Sequence, residues 1–88
     1  MNKEVLKDFQ RIPGIGKACS IDLWNLGYRS VEELKGEDPE VMYEKLCEFQ
    51  GQHIDRCMLY TFRCAVYFAE TKNPKPDKLK WWNWKDKK

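Results

Sequence analysis

A short glycine-containing segment near the amino end has the residue types that could hold an anion. It reads Ile-Pro-Gly-Ile-Gly-Lys over residues 12–17 and precedes a stretch with helical spacing of apolar residues. The first amides of a helix have no intrahelical acceptor, and they lie at the positive end of the helix dipole. Glycine lets a phosphate approach such amides because it has no Cβ. The segment therefore predicts a phosphate-binding turn, with Lys17 adding a charge.

Residue types that support catalysis are sparse in this chain. It contains one histidine and no Walker-type phosphate loop, and no pair of carboxylates stands in an apolar stretch that could form a cleft. At 88 residues it has one small hydrophobic core, which argues against separate substrate and cofactor domains. We therefore predict that the protein is not an enzyme.

The histidine and the cysteines offer one metal-binding hypothesis. His53, Cys57 and Cys64 are spaced i, i+4 and i+11, close to one helical face, with Cys47 as a distant fourth ligand. The four cysteines include no CxxC pair, and Cys/His metal sites use tighter ligand pairs. We interpret Cys57 and Cys64 as reduced core residues and predict no metal site.

Apolar residues recur at spacings of three and four through most of the chain, which predicts an all-α fold. The five predicted helices lie within residues 3–10, 17–26, 30–36, 38–51 and 53–70. No segment approaches the ~18 apolar residues needed to span a bilayer, and the first residues contain no apolar signal core. The expected location is the cytoplasm, with no membrane contact.

Local signals define several of the predicted helix ends. Gly27 is expected to end the second helix as its C′ residue. Ser30 and Glu33 fit the capping-box pattern at the start of the third helix. Asp38 at the N-cap and Pro39 at N1 are both favoured at the start of the fourth helix.

Charge is unevenly distributed along the chain, although its formal net charge is only +2. Residues 71–88 hold seven lysines and two aspartates, whereas residues 30–50 hold seven acidic residues and two lysines. An anion-binding surface is therefore excluded from the acidic middle segment. It must lie near the amino end, on the longest helix or on the tail.

Residues 12–27 resemble the helix-hairpin-helix DNA-binding motif. Residues 12–16 match its apolar-Pro-Gly-apolar-Gly pattern, Leu23-Trp24 its apolar pair, and Leu26-Gly27 its Leu-Gly ending. Ser20 stands where the family usually has alanine, a departure that still permits close helix packing. The resemblance implies that the hairpin binds the DNA backbone without reading sequence.

The residues that this resemblance implicates are backbone donors in the hairpin and residues at the start of the second helix, with Arg11 beside them. On this chain they are Arg11, Gly14, Ile15, Gly16, Lys17 and Ala18. Some family members also hold a monovalent cation with hairpin carbonyls. The matching carbonyls here are those of Gln10, Ile12 and Ile15.

Residues 27–34 resemble the usual lead into a second, paired hairpin. The turn that follows, residues 35–39, lacks Gly-x-Gly and is acidic, so we expect it to be a structural partner. The predicted architecture is a tandem helix-hairpin-helix, one copy intact and one degenerate. Its four short helices are followed by a long fifth helix. Residues 1–70 form the domain, and residues 71–88 form a Lys/Trp-rich tail that is partly docked on it.

Residues 51–70 and the Trp-Trp-Asn-Trp tail are similar to a small bacterial family of pathogenicity-locus proteins, whose members often have mitomycin-resistance names. That family name does not define a biochemical function.

The longest helix offers a second candidate surface. Arg56, Tyr60, Arg63 and Tyr67 recur along one face, where they could contact phosphates or stack on bases. The same arginines could instead pair with the acidic segment 37–48. Arg56 and Arg63 are therefore secondary DNA-binding candidates, with salt bridges as the alternative.

The sequence predicts DNA binding without sequence specificity, as an accessory in DNA repair or maintenance. With few phosphate contacts the affinity should be about micromolar or poorer at physiological salt. A protein partner or a homodimer is then expected to assist. The alternative is a protein–protein interaction module with a vestigial hairpin.

Overall fold

The computed structural model describes residues 3–84, and within that range it contains four α-helices, three 3-10 turns and no β-strand. The α-helices are α1 (Lys3–Phe9), α2 (Lys17–Asn25), α3 (Pro39–Gln50) and α4 (Cys57–Glu70). The 3-10 turns are Val31–Leu34, Pro76–Leu79 and Trp81–Trp84. The all-α prediction is confirmed.

The helix count and one helix cap differ from the prediction. The expected third helix is a single 3-10 turn, Val31–Leu34, so the longest helix is the fourth α-helix and not the fifth. The Ser30 side chain does not cap this turn. Instead the carboxylate of Asp8, from α1, accepts a hydrogen bond from the Val31 amide at 2.9 Å. The predicted capping box is therefore absent: the Glu33 amide donates to the Ser30 carbonyl, and the side-chain acceptor at this turn comes from α1.

The longest helix also begins later than predicted, at Cys57 and not at His53. The Tyr43 hydroxyl donates a hydrogen bond to the Ile54 carbonyl. In a continuous helix the Met58 amide would donate to the Ile54 carbonyl. Here it donates to the backbone carbonyl of Asp55 instead. The Asp55 carboxylate accepts from the Cys57 amide at 2.9 Å and starts the helix there.

Other helix ends follow the predicted local signals. Gly27 has φ +101°, and the Tyr28 amide reaches back to the Leu23 carbonyl, as in a Schellman motif. Asp38 accepts from the Glu40 amide at the start of α3, with Pro39 at N1. These caps were correctly predicted because each is built from residues a few positions apart.

The hydrophobic core is assembled around α4. Phe62, Leu59 and Ala65 on this helix are almost fully buried, and α4 packs on α3 and on the Val31–Leu34 turn. Phe9 and Leu23 bring α1 and α2 into the same core. Full burial of each large apolar side chain contributes about 1.5–3 kcal/mol, so this cluster supplies the main stabilisation of the fold.

The first part of the tail packs against α4. The Trp84 ring lies 5.4 Å from the Tyr67 ring, and its indole N–H donates to the Lys78 carbonyl at 2.7 Å. Arg63 of α4 donates to the Trp84 carbonyl at 2.8 Å. The side chain of Trp81 and the lysines after residue 84 lie outside the described residues.

Within residues 3–84, no helix has the length and apolarity needed to cross a bilayer.

Candidate nucleic-acid interface

The turn between α1 and α2 is anchored by two buried isoleucines. Ile12 and Ile15 are 1% and 5% exposed, and the Ile15 amide donates to the Ile12 carbonyl at 3.1 Å. Pro13, Gly14 and Gly16 lie on the exposed side. The two isoleucines therefore anchor the turn in the core, while the residues between and after them face solvent.

The two glycines of the turn have different backbone requirements. Gly14 has φ +87°, a conformation that side-chain-bearing residues rarely adopt. Gly16 has φ −96° and ψ −168°, which any residue can adopt. A Cβ added at Gly16 would meet no atom within 4 Å. The fold therefore does not require glycine at position 16.

The start of α2 presents exposed backbone amides. Its first helical hydrogen bond runs from the Ser20 amide to the Gly16 carbonyl at 3.0 Å, so the amides of Lys17 and Ala18 precede the helical ladder. Both residues are exposed. Among residues 3–84, no side chain oxygen caps this end of the helix. The site offers two outward amides and the Lys17 ammonium group.

Other predicted backbone donors are already engaged in the turn. The Ile15 amide closes the turn onto Ile12. The Gly16 amide lies close to the Cys19 thiol. Burial raises the pKa of that thiol and the nearby Asp22 raises it further, whereas the Gly16 amide lowers it. The net effect is upward, so Cys19 stays protonated near neutral pH. The Ile12 carbonyl, one of the predicted cation ligands, accepts the Ile15 bond, and the cation remains a prediction.

Ser20 fastens the turn to α1. Its buried hydroxyl lies 2.8 Å from the Lys17 carbonyl and 3.0 Å from the Gly16 carbonyl, and it accepts from the Gln10 side chain at 3.3 Å. A serine in place of alanine therefore adds a polar link between the end of α1 and the start of α2. This role was missed because it depends on the position of Gln10.

The second turn, residues 35–39, differs from the turn between α1 and α2 because carboxylates accept hydrogen bonds from its backbone amides. The Gly36 amide donates to Glu70 at 2.8 Å, and the Glu40 amide donates to Asp38 at 2.9 Å. A phosphate approaching this turn would meet two negative charges. The geometry agrees with a structural role for the second turn and leaves the first as the candidate anion site.

Arg11 lines a different surface cavity from the one that Lys17 lines. Its guanidinium lies 2.8 Å from Asp8 and 3.9 Å from Glu32, and it lines a cavity with Val31 and Glu32. Burial alone would raise the pKa of Asp8, but hydrogen bonds from Val31 and Arg11 together hold that pKa below its ordinary value. Arg11 thus neutralises the carboxylate that joins α1 to the Val31–Leu34 turn.

The two secondary candidates lie on or beside α4. Arg63 is largely buried, bonded to the Trp84 carbonyl, and 3.4 Å from the Glu40 carboxylate. Arg56 is exposed just before the helix, near Tyr43. Burial raises the pKa of Tyr43, and the charge of Arg56 offsets only part of that rise. The position of Arg63 matches the salt-bridge alternative.

Lys17 shares a surface groove with two lysines of α1 that the motif does not contain. Lys3 and Lys7 line this groove with Leu6 and Gln10. The sequence signal was present, since lysines four positions apart lie on one helical face. Only the packing of α1 against α2 brings that face to Lys17.

The proposed metal ligands are separated in the fold. His53 lies outside α4, with its ring edge-on to Tyr43, while Cys64 is buried within the helix. Burial raises the pKa of Cys64 to about 11, so its thiol is neutral. In the part of the chain that is described, no three His, Cys, Asp or Glu residues are grouped closely enough to hold a metal ion.

Comparison with known proteins gives a family and one distant relative. The model of a family described as "Cdd1: Pathogenicity locus" matches residues 2–88. The chain is 27% identical over 77 residues to "Mitomycin resistance protein McrB" of Streptomyces lavendulae, a match that covers 88% of this chain and 70% of that protein. No solved structure matches.

Proposed function

This chain belongs to the Cdd1 pathogenicity-locus family, and we propose that it binds the phosphate backbone of DNA through the turn between α1 and α2. In this proposal α1, the turn and α2 form a helix-hairpin-helix. The Val31–Leu34 turn and α3 form a degenerate second copy. The Lys17 and Ala18 amides hold a phosphate, and the Lys17 ammonium group adds charge.

The observation that carries the proposal is the glycine at position 16. Its backbone angles suit any residue, and an added Cβ would contact no atom of the protein within 4 Å. Close approach by a group from outside supplies a reason for glycine at this position. A phosphate on the exposed amides of α2 is such a group.

The second turn supports the proposal by contrast. There the protein supplies its own anions, Glu70 and Asp38, to the exposed amides. No described carboxylate takes that role at the start of α2. The amides of the two turns therefore have different electrostatic environments, and only that of the first turn suits a polyanion.

A single hairpin implies weak binding that depends strongly on salt. Each neutralised phosphate contributes a slope of about −0.9 in a plot of log Kobs against log salt for duplex DNA. With few contacts the affinity is about micromolar or poorer at physiological salt. We propose an accessory role in DNA repair or maintenance, with a protein partner or a second copy adding affinity.

The test is a salt titration of binding to fluorescent duplex and single-stranded DNA. Gly16→Ala and Lys17→Glu should each weaken duplex binding by about tenfold, equal to about 1.4 kcal/mol. Lys45→Glu, the same charge reversal on the exposed side of α3, is the matched control. Absence of wild-type binding at low salt, or equal effects of Lys17→Glu and Lys45→Glu, would contradict the proposal.

One observation favours the alternative of a protein-interaction module. Val41 and Phe49, both on α3, are 42% and 59% exposed. Large apolar side chains at such exposure are common at protein–protein contacts. Sedimentation of wild type and Phe49→Ser tests self-association through this helix. A concentration-dependent dimer that Phe49→Ser abolishes, in a protein that binds no DNA at low salt, would support the alternative.

A further inference from the structure

The groove beside the turn extends the candidate surface onto α1. It has a volume of about 260 Å³ and is lined by Lys3, Leu6, Lys7, Gln10 and Lys17. Leu6 forms part of its apolar floor and is 9% exposed. The three lysines are exposed, so their ammonium groups are accessible from solvent.

The charge in this groove is not neutralised by the described residues. Within residues 3–84, none of the three lysines forms an ion pair with a carboxylate. The described lining of the groove includes no acidic side chain. Two other cavities contain carboxylates, Glu32 in one and Glu37 and Glu70 in the other. The groove is therefore electrostatically complementary to a polyanion.

We infer that this groove binds further phosphates of the same DNA strand, with Lys3 and Lys7 as the contacting residues. The inference rests on the proposed function, because Lys17 joins the groove to the start of α2. Lys3 and Lys7 are one helical turn apart, a rise of about 6 Å along α1. Flexible ammonium groups at this spacing can contact successive charges of a strand without reading its bases.

The position of Lys3 argues against a role in stabilising α1. It is the first residue of the helix, where a positive charge opposes the helix dipole. Replacing it with glutamine therefore removes no favourable helix interaction. Lys7 lies in the last turn of α1, where a positive charge weakly favours the helix. The double variant Lys3→Gln/Lys7→Gln is therefore expected to keep the wild-type fold with a small loss of stability, which circular dichroism and a thermal melt can verify.

The experiment measures the salt dependence of binding to a short fluorescent duplex. If both lysines contact phosphates, the slope of log Kobs against log salt should fall in magnitude by about 1.8 in the double variant. The matched control is Lys35→Gln/Lys72→Gln, which removes two lysines from the cavity that also contains Glu32. The control should leave the slope within about 0.5 of wild type.

The outcomes separate this inference from the proposed function. A wild-type slope in Lys3→Gln/Lys7→Gln, or an equal loss in the control, overturns the inference. If Gly16→Ala still weakens binding in that case, the proposed function stands without the groove. If wild type binds no DNA at low salt, both fall.

Discussion

The carboxylate of Asp8 accepts a hydrogen bond from the backbone amide of Val31 at 2.9 Å, across 23 positions of sequence. The other oxygen of the same carboxylate pairs with Arg11 at 2.8 Å. One side chain of α1 thus contacts both Arg11, just before the glycine turn, and the start of the Val31–Leu34 turn. The candidate DNA-binding turn is held in place partly by this contact.

Removal of the Asp8 carboxylate should destabilise the fold. Asp8→Ala leaves the Val31 amide without its acceptor, and loss of a hydrogen bond to a charged group costs about 1.5–3 kcal/mol. Urea denaturation measures the change in the free energy of unfolding. Arg11→Gln is the control, because an exposed ion pair contributes about 0–1 kcal/mol. Equal losses in the two variants would contradict the assigned role of the Val31 bond.

The Asp8 contact should make stability depend on acid pH. Because the pKa of Asp8 is held below its ordinary value of 3.8, its ionised form stabilises the folded state. That contribution is complete above the unfolded pKa and is lost as pH falls through the folded pKa. The difference in unfolding free energy between wild type and Asp8→Ala should therefore be constant above about pH 5 and shrink below about pH 4.

Asp22 provides a control of opposite sign for that pH titration. Burial raises its pKa, so its ionised form is less favourable in the folded state than in the unfolded chain. Stability from this group is therefore greatest at low pH and declines as pH rises through its unfolded and folded pKa values. Asp22→Asn should gain stability relative to wild type as pH rises, whereas Asp8→Ala should lose it. The same sign for both variants would contradict the assignment.

The two glycines of the turn should respond differently to alanine. Gly14→Ala places a Cβ at φ +87° and should cost about 1–2 kcal/mol. Gly16→Ala changes stability by less than about 0.5 kcal/mol, because reduced freedom of the unfolded chain offsets a poorer N-cap. Thermal melts measure both effects. A large loss in Gly16→Ala would show that the fold itself needs glycine there.

Arg63 should control the docking of the tail. Arg63→Ala removes the bond to the Trp84 carbonyl and the pairing with Glu40, so residues 76–84 should open more often. Trypsin should then cleave after Lys78 or Lys80 several-fold faster, as followed by mass spectrometry. Arg29→Ala is the control, because Arg29 stacks on Trp24 at 3.7 Å, outside the tail. Unchanged cleavage in Arg63→Ala would contradict this role.

The sequence by itself determined the features that depend on neighbouring residues. The all-α class follows from apolar spacing, and the Gly27 and Asp38 caps follow from residue type within one turn. The same holds for the glycine turn, because Pro13 cannot lie in a helix interior and the two glycines permit unusual backbone angles. Such interactions require no knowledge of which helices pack together.

Only the tertiary structure decided the features that join distant residues. Asp8 of α1, and not the Ser30 side chain, supplies the side-chain acceptor at the start of the Val31–Leu34 turn. The Tyr43 hydroxyl donates to the Ile54 carbonyl, which lies before the start of the long helix and not within it as predicted. Each change pairs a polar backbone group with a side chain that packing brings close. The grouping of Lys3 and Lys7 with Lys17 has the same origin, since it depends on how α1 packs against α2.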